Sequence, residues 1–229
     1  MRQPRIQTVS GGIEAVQVQS LAEAAAQMVR DAIVTGKLKP GERLVEQRLA
    51  AQLSIGQPTL REALKELEHQ GFVRKVANKG TYVTDLTKED FRKIHQVRMI
   101  LETLAIEQAA RSVTPAALDE LEATVESMDR AARKFERTTF HRSDLQFHNA
   151  IWQLTGNEHL VAVLERVVFS LFAFVLLQQE QKQFLAAVRQ HRDILAGLRS
   201  RDAVAARDAF IRSTNRFWEE IHQVKVSYP

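Results

Sequence analysis

The chain of 229 residues contains no cysteine, and it has only 9 glycines and 5 prolines. Without cysteine there is no disulfide framework, no cysteine-ligated zinc site, no thiol nucleophile and no thiol redox sensor. The scarcity of glycine and proline argues against a β-rich architecture with many turns. The chain also has no signal-peptide-like apolar stretch at its start and no run of about 20 apolar residues, the length that spans a bilayer. We therefore expect a cytoplasmic protein without a membrane segment.

The net charge of +4 is unevenly distributed along the chain. Residues 1–84 hold 12 Lys/Arg and 8 Asp/Glu, whereas residues 85–229 hold 20 of each. A basic segment beside a neutral one is typical of a small nucleic-acid-binding module joined to a partner domain. Because the excess is only four charges, chance is the alternative explanation until the motifs are considered.

The pattern of residues 20–84 predicts three helices followed by a β-hairpin. A capping box, Ser20 with Glu23, opens the first helix, and Pro58 stands in the first turn of the third, where a missing N–H costs nothing. The predicted helices cover about 20–35, 45–53 and 58–70, and the predicted strands cover 72–76 and 81–84. Three helices and a hairpin with net positive charge describe a winged helix-turn-helix domain, preceded by a flexible N-terminal arm at residues 1–19.

The third helix would enter the major groove of DNA by its N-terminal end. That end carries Gln57, Thr59 and Arg61. Gln is suited to adenine, Arg to guanine or a phosphate, and Thr to either base or phosphate. Lys79 at the hairpin tip suits a backbone or minor-groove contact. The same residues also fit a merely solvated surface, and winged helices also serve as protein-interaction modules.

Four runs of this module form a specific string: LKPGERLVE at 38–46, LAAQL at 49–53, LREALKEL at 60–67 and NKGTYV at 78–83. The string resembles the N-terminal domain of the GntR family of bacterial repressors. That resemblance implies DNA contacts for Arg61 and for Gln47. Where the family usually has Ser-Arg-Thr-Pro-Val, residues 56–60 read Gly-Gln-Pro-Thr-Leu. Gln57 thus replaces a base-reading Arg, which predicts an operator other than the family's commonest one.

From Thr87 onward the hydrophobic periodicity is helical, and it predicts an all-α antiparallel bundle over residues 85–229. The predicted helices cover about 87–112, 115–136, 138–155, 158–180, 183–199 and 201–224. The most apolar run, residues 167–177, is too short to span a membrane. It indicates a helix buried on several sides, in a core or a subunit interface.

Three polar residues interrupt the apolar faces of this bundle. Asp144 and His148 are four apart and share a helix face, and His191 stands on the inward face of another helix. One Asp and two His directed inward from facing helices suit a divalent metal. The alternative is that each histidine is a hydrogen-bonded core residue.

Arg98, Glu102 and Ser213 also fall on predicted inward faces. An inward Arg near a metal suits a bidentate grip on a carboxylate, which makes Arg98 a candidate effector ligand. Glu102 follows Arg98 at four residues, so a purely structural ion pair is equally compatible with the pattern. Ser213 is suited to hydrogen-bond a ligand or water but is a poor metal ligand.

The runs RMILE at 98–102, DLQFH at 144–148, GN at 156–157 and HRDIL at 191–195 resemble the FCD effector domain of the FadR-type branch of GntR regulators. The resemblance implies an effector domain that binds a metal of the zinc, nickel or manganese type through one Asp and three His and senses small organic acids. Asp144, His148 and His191 match three of those ligands, and Ser213 stands at the fourth. Either metal binds through three protein ligands plus water or effector, or the site binds an effector directly.

Together these patterns predict a ligand-responsive transcriptional regulator and not an enzyme, with repression favoured over activation. We expect a C2 homodimer that reads a palindromic operator in double-stranded DNA and responds to a small organic acid. Two alternatives stay open at this point: a metal-dependent hydrolase using Asp144, and a protein-interaction adaptor using the winged module. Against the hydrolase, the chain has no nucleophile elbow, phosphate loop or HExxH pattern.

Overall fold

The computed structural model describes residues 20–178 and 180–222, so the predicted arm at 1–19 lies outside the described residues. The elements in chain order are α1 (Leu21–Val34), β1 (Arg43–Leu44), α2 (Glu46–Gln52), α3 (Gln57–His69), β2 (Val73–Val76), β3 (Gly80–Val83), α4 (Lys88–Ser112), α5 (Pro115–Lys134), α6 (Arg137–Gln153), α7 (Glu158–Gln178), α8 (Gln181–Arg199) and α9 (Ala203–His222). This order confirms the predicted fold class, a winged helix-turn-helix followed by an all-helical domain. In the described ranges, no helix is long and apolar enough to cross a membrane.

The N-terminal module begins where the capping pattern predicts. Ser20 Oγ accepts from the Glu23 backbone N–H, and the Glu23 carboxylate accepts from the Ser20 N–H. The sheet has one strand more than the predicted hairpin, because β1 pairs antiparallel with β3 and gives the order β1-β3-β2. A two-residue strand carries no periodicity, so only its pairing with the hairpin reveals it.

The helical domain packs α5 against α6 and α8, and α9 against α8 and α4. Its helix α4 also opens on a capping box, Thr87 with Asp90. Gly197 allows α8 to approach α9 closely, since a Cβ at this position would lie 2.8 Å from Cβ of Ala209. Of the apolar run at 167–177 in α7, Val168 and Leu171 are fully buried and Val167 is half-buried, while the side chains of residues 169–170 and 172–177 are outside the described set.

The winged module rests directly on the helical domain. Helix α1 contacts α6 and α7. Arg142 on α6 lies 3.7 Å from the Asp31 carboxylate on α1, and the His141 ring meets the Phe72 ring edge-on with centroids 6.2 Å apart. Helix α6 therefore carries contacts to the DNA-binding module one turn before Asp144.

Candidate functional site: a buried Asp/His cluster and an exposed helix end

The helical domain encloses a cluster of polar side chains contributed by α4, α6 and α8. Asp144, His148 and His191 are all buried, and one ligand atom from each lies within 4.8 Å of the others. The spacing of four residues places Asp144 and His148 on one face of α6, as predicted. Only packing of α8 against α5 and α4 brings His191 to the same point.

The hydrogen bonds of the two imidazoles fix which nitrogen faces the cluster. Nδ1 of His191 donates to the Ala187 carbonyl oxygen at 2.7 Å, and Nδ1 of His148 lies 2.7 Å from the Glu102 carboxylate. Since both partners accept only, both Nδ1 atoms carry the proton and both Nε2 atoms are lone-pair donors in the neutral rings. These Nε2 atoms converge on Oδ1 of Asp144, at 2.8 Å from His191 and 3.8 Å from His148.

Glu102 connects the cluster to Arg98. Its carboxylate accepts from the Arg98 guanidinium and from His148 Nδ1, and the side chains of all three residues are at most 3% exposed. Burial alone would raise the pKa of Glu102, but the charge of Arg98 and the hydrogen bonds donated by His148 and Arg98 outweigh it and lower that pKa to about 2. Glu102 is thus a carboxylate that orients His148, the arrangement that supports metal-binding histidines in proteins.

The cluster fits a divalent metal on the chemistry of its donors. Two neutral imidazole Nε2 atoms and one carboxylate oxygen suit zinc, nickel or manganese. The 2.8 Å approach of His191 Nε2 to Asp144 Oδ1 brings two acceptors together without hydrogen-bond geometry, and a cation between them removes that repulsion.

Ser213 is not joined to this cluster by any hydrogen bond in the described part of the chain. Its hydroxyl donates to the Phe210 carbonyl oxygen of its own helix at 3.1 Å. It also lines a cleft of about 360 Å³ between α8 and α9, whose lining includes none of the cluster residues. Its effector-binding role stays a prediction. A buried polar pair that the sequence pattern did not reveal lies beside His191: Gln190 donates to Thr214 Oγ at 2.9 Å.

The second candidate site is the exposed N-terminal end of α3. Gln57 and Arg61 are exposed there, and Thr59 is half-buried. Arg61 Nε donates to the Glu46 carboxylate at 2.7 Å, and its Nη2 donates to Gln57 Oε1 at 3.4 Å. These two contacts hold the guanidinium at the helix end, where free backbone N–H groups also favour a phosphate.

The other predicted DNA contacts lie on exposed parts of the module. Gln47 is exposed on α2, and Lys79 is exposed in the turn between β2 and β3. One basic residue that the sequence pattern did not single out is Arg43 on β1. Its guanidinium lies against Gly80, because Nε of Arg43 would be 3.4 Å from a Cβ added at that glycine. Strand β1 therefore adds a cation to the wing.

Comparisons with known proteins assign both parts of the chain to described families. The family model for bacterial regulatory proteins of the gntR family matches residues 21–83. The model for the FCD domain matches residues 93–215, more than half of the chain. Both predicted resemblances are therefore confirmed.

Curated relatives cover most of the chain. The uncharacterized HTH-type transcriptional regulator YdhC of Bacillus subtilis is 28% identical over 84% of this chain and 87% of its own. The gluconate operon transcriptional repressor of Bacillus licheniformis is 23% identical over 84% and 80%. Among solved structures, Escherichia coli McbR/YncC matches with a TM-score of 0.75 at 22% identity, covering 90% of this chain and 99% of that one, which shows a shared fold.

Proposed function

The chain belongs to the GntR family of bacterial regulatory proteins and carries an FCD domain, and from this we propose that it is an effector-responsive repressor that binds its operator as a homodimer. The family consists of DNA-binding transcriptional regulators, so the enzyme alternative is set aside. The observation that supports ligand sensing is the buried Asp/His cluster. Two imidazole nitrogens that face one buried carboxylate oxygen would be stabilised by a shared cation, which a bound metal would supply.

Asp144, His148 and His191 would hold the metal in this proposal, and a bound metal would supply a Lewis-acid centre for an oxygen of the effector. Arg98 grips the effector carboxylate, and Glu102 keeps both Arg98 and His148 in place. The effector class is a small organic acid, and the gluconate operon repressor among the relatives makes gluconate a natural first probe. Effector binding changes DNA affinity only through its different affinity for the two arrangements of the winged modules.

A chromatographic selection of operator sites from random DNA tests the proposal as a whole. A regulator enriches one sequence, and its affinity for that sequence falls steeply with salt. Gluconate and other small organic acids are then screened for release of the selected DNA. Equal and weak binding to every sequence would favour the protein-interaction alternative instead.

The homodimer has a candidate face on α4. Val97, Ile100 and Leu104 are 46%, 56% and 42% exposed, and their spacing places them along one stripe of the helix. We expect Ile100→Glu to convert a dimer of about twice 26.0 kDa into a monomer, because it buries an unpaired charge in the interface. Light scattering coupled to size-exclusion chromatography measures the mass.

Val204→Glu is the matched control, since Val204 is equally exposed, at 55%, but lies on α9. That variant is expected to remain a dimer. A dimeric Ile100→Glu variant would place the interface elsewhere.

Replacing Arg98 tests the carboxylate grip. We expect Arg98→Met to lower the affinity for the acid that releases DNA by about 10- to 100-fold, because it removes a charge-assisted bidentate contact. The change also removes the cation that is paired with Glu102. The double variant Arg98→Met/Glu102→Gln therefore separates a contact of Arg98 with the effector from its ion pair with Glu102. The Gln amide oxygen still accepts from His148 Nδ1, so a structural ion pair predicts recovery of effector affinity in the double variant, whereas a carboxylate grip predicts none. Calorimetric titration gives the affinities, with Arg92→Met, exposed on the same helix, as the control.

A further inference from the structure

A second polar cavity lies between the winged module and the helical domain, apart from the Asp/His cluster. It has a volume of about 370 Å³. Its walls include Arg30, Asp31 and Gln70 from the winged module and His141, Arg142 and Glu165 from the helical domain. A molecule bound there would touch both domains at once.

Arg30 is a desolvated cation with unused hydrogen-bonding capacity. Its two Nη atoms donate to Gln27 and Gln70, whereas its Nε is buried and has no partner. Within the described residues no carboxylate oxygen lies within 4 Å of this guanidinium. Burial lowers the pKa of Arg30 against the opposing charges of Asp31 and Glu66, so the guanidinium is held in a poorly solvated place.

His141 supplies the second observation. It is 3% exposed, and neither ring nitrogen has a hydrogen-bond partner. Burial lowers its pKa to about 4; Asp144 opposes this shift and Arg30 adds to it, so the ring is neutral and offers one N–H. Arg30 and His141 share Phe72 as a neighbour: the Arg30 Cζ lies 5.4 Å from the Phe72 ring centroid and the His141 ring 6.2 Å.

Two acidic side chains, Asp31 and Glu165, also line the cavity. Asp31 lies 3.7 Å from the Arg142 guanidinium, which offsets its charge. Burial and the nearby Glu66 raise the pKa of Glu165. What remains without a partner is a guanidinium N–H and an imidazole N–H, and buried donors of this kind are normally satisfied by an acceptor.

The geometry points to a second ligand site in this interdomain cavity, in which Arg30 Nε and His141 bind an oxyanion, either a carboxylate or a phosphate group. The bound anion neutralises the half-buried guanidinium and bridges α1 to α6, and it thereby stabilises this arrangement of the two domains. An effect of the anion on DNA affinity rests on the proposed function. The binding itself does not.

Titration calorimetry on the full chain tests the site, after treatment with a chelator so that no metal at the Asp/His cluster can hold the anion. Sodium phosphate and sodium acetate are titrated separately, each against sodium chloride at equal ionic strength. We expect one anion per chain, and the arm that binds identifies the phosphate or the carboxylate as the occupant. Loss of one charge-assisted hydrogen bond is expected to weaken binding about tenfold or more in Arg30→Met.

His141→Leu provides an independent variant should Arg30→Met fail to fold, and it is expected to weaken the same anion. Arg111→Met removes an exposed cation that does not line the cavity and is expected to bind as the unaltered chain does. Absence of binding in both arms, or binding that both cavity variants leave unchanged, would overturn the site. Either result would leave operator binding and metal binding at the Asp/His cluster unaffected, so the two proposals fail separately.

Discussion

Arg61→Ala is expected to lower the affinity for the selected operator by about 10- to 100-fold, the effect of losing one good base contact worth about 1–3 kcal/mol. The contacts of Arg61 in the structure support this expectation. At the exposed end of α3 the Arg61 guanidinium contacts Glu46 and Gln57, which favours one orientation of its side chain there. Removing it also leaves the Glu46 carboxylate facing DNA without its cation, which adds repulsion from phosphate. Fluorescence anisotropy with operator and random DNA measures both affinities.

Two variants separate base reading from simple charge. Arg61→Lys keeps the charge but loses the planar guanidinium, so it is expected to retain binding to random DNA and to lose preference for the operator. Arg130→Ala removes an exposed, ion-paired arginine on α5 and is expected to change neither. Operator preference that survives Arg61→Ala would show that another residue reads the sequence.

His191→Gln and Asp144→Asn are each expected to weaken metal binding by at least about 100-fold, since even residues that only support metal ligands account for 10- to 100-fold. Each replacement removes one of three converging donor atoms. The unaltered chain, reconstituted with zinc, nickel or manganese and passed through a desalting column, is expected to retain one ion. Elemental analysis measures the ratio. Metal at 100 times its dissociation constant is also expected to raise the free energy of unfolding by about 2.7 kcal/mol. The unfolding temperature is expected to rise with it.

His159→Gln is the control for loss of a histidine as such, because His159 is exposed on α7 with its side chain 92% accessible. It is expected to retain metal fully. A chain that binds none of the three metals after reconstitution would contradict the metal site and leave an effector-binding or purely structural cluster. In that case His191→Gln would still be informative, because an effector held directly by the cluster loses affinity in this variant.

The sequence was sufficient where the determining contacts are local. Capping boxes at Ser20 and Thr87 act between residues three apart, and the one at Ser20 forms as predicted. The Asp144–His148 pair follows from the pitch of one helix, and the position of Arg61 follows from the start of α3. Helix boundaries, the hairpin and the fold class belong to the same local physics, which is why periodicity and capping patterns predicted them.

The tertiary structure decided every relation between distant segments, because burial and hydrogen-bond partners depend on which helix faces meet. It placed the Glu102 carboxylate 2.7 Å from Nδ1 of His148, where it orients that imidazole, while the effector-binding role of Glu102 stays a prediction. It paired β1 with the wing, and it left Ser213 bonded to its own helix. It also brought Arg30 and His141 to the same interdomain cavity, with Arg30 Nε and both His141 ring nitrogens unpaired, although nothing in the spacing of these two residues indicates that they meet.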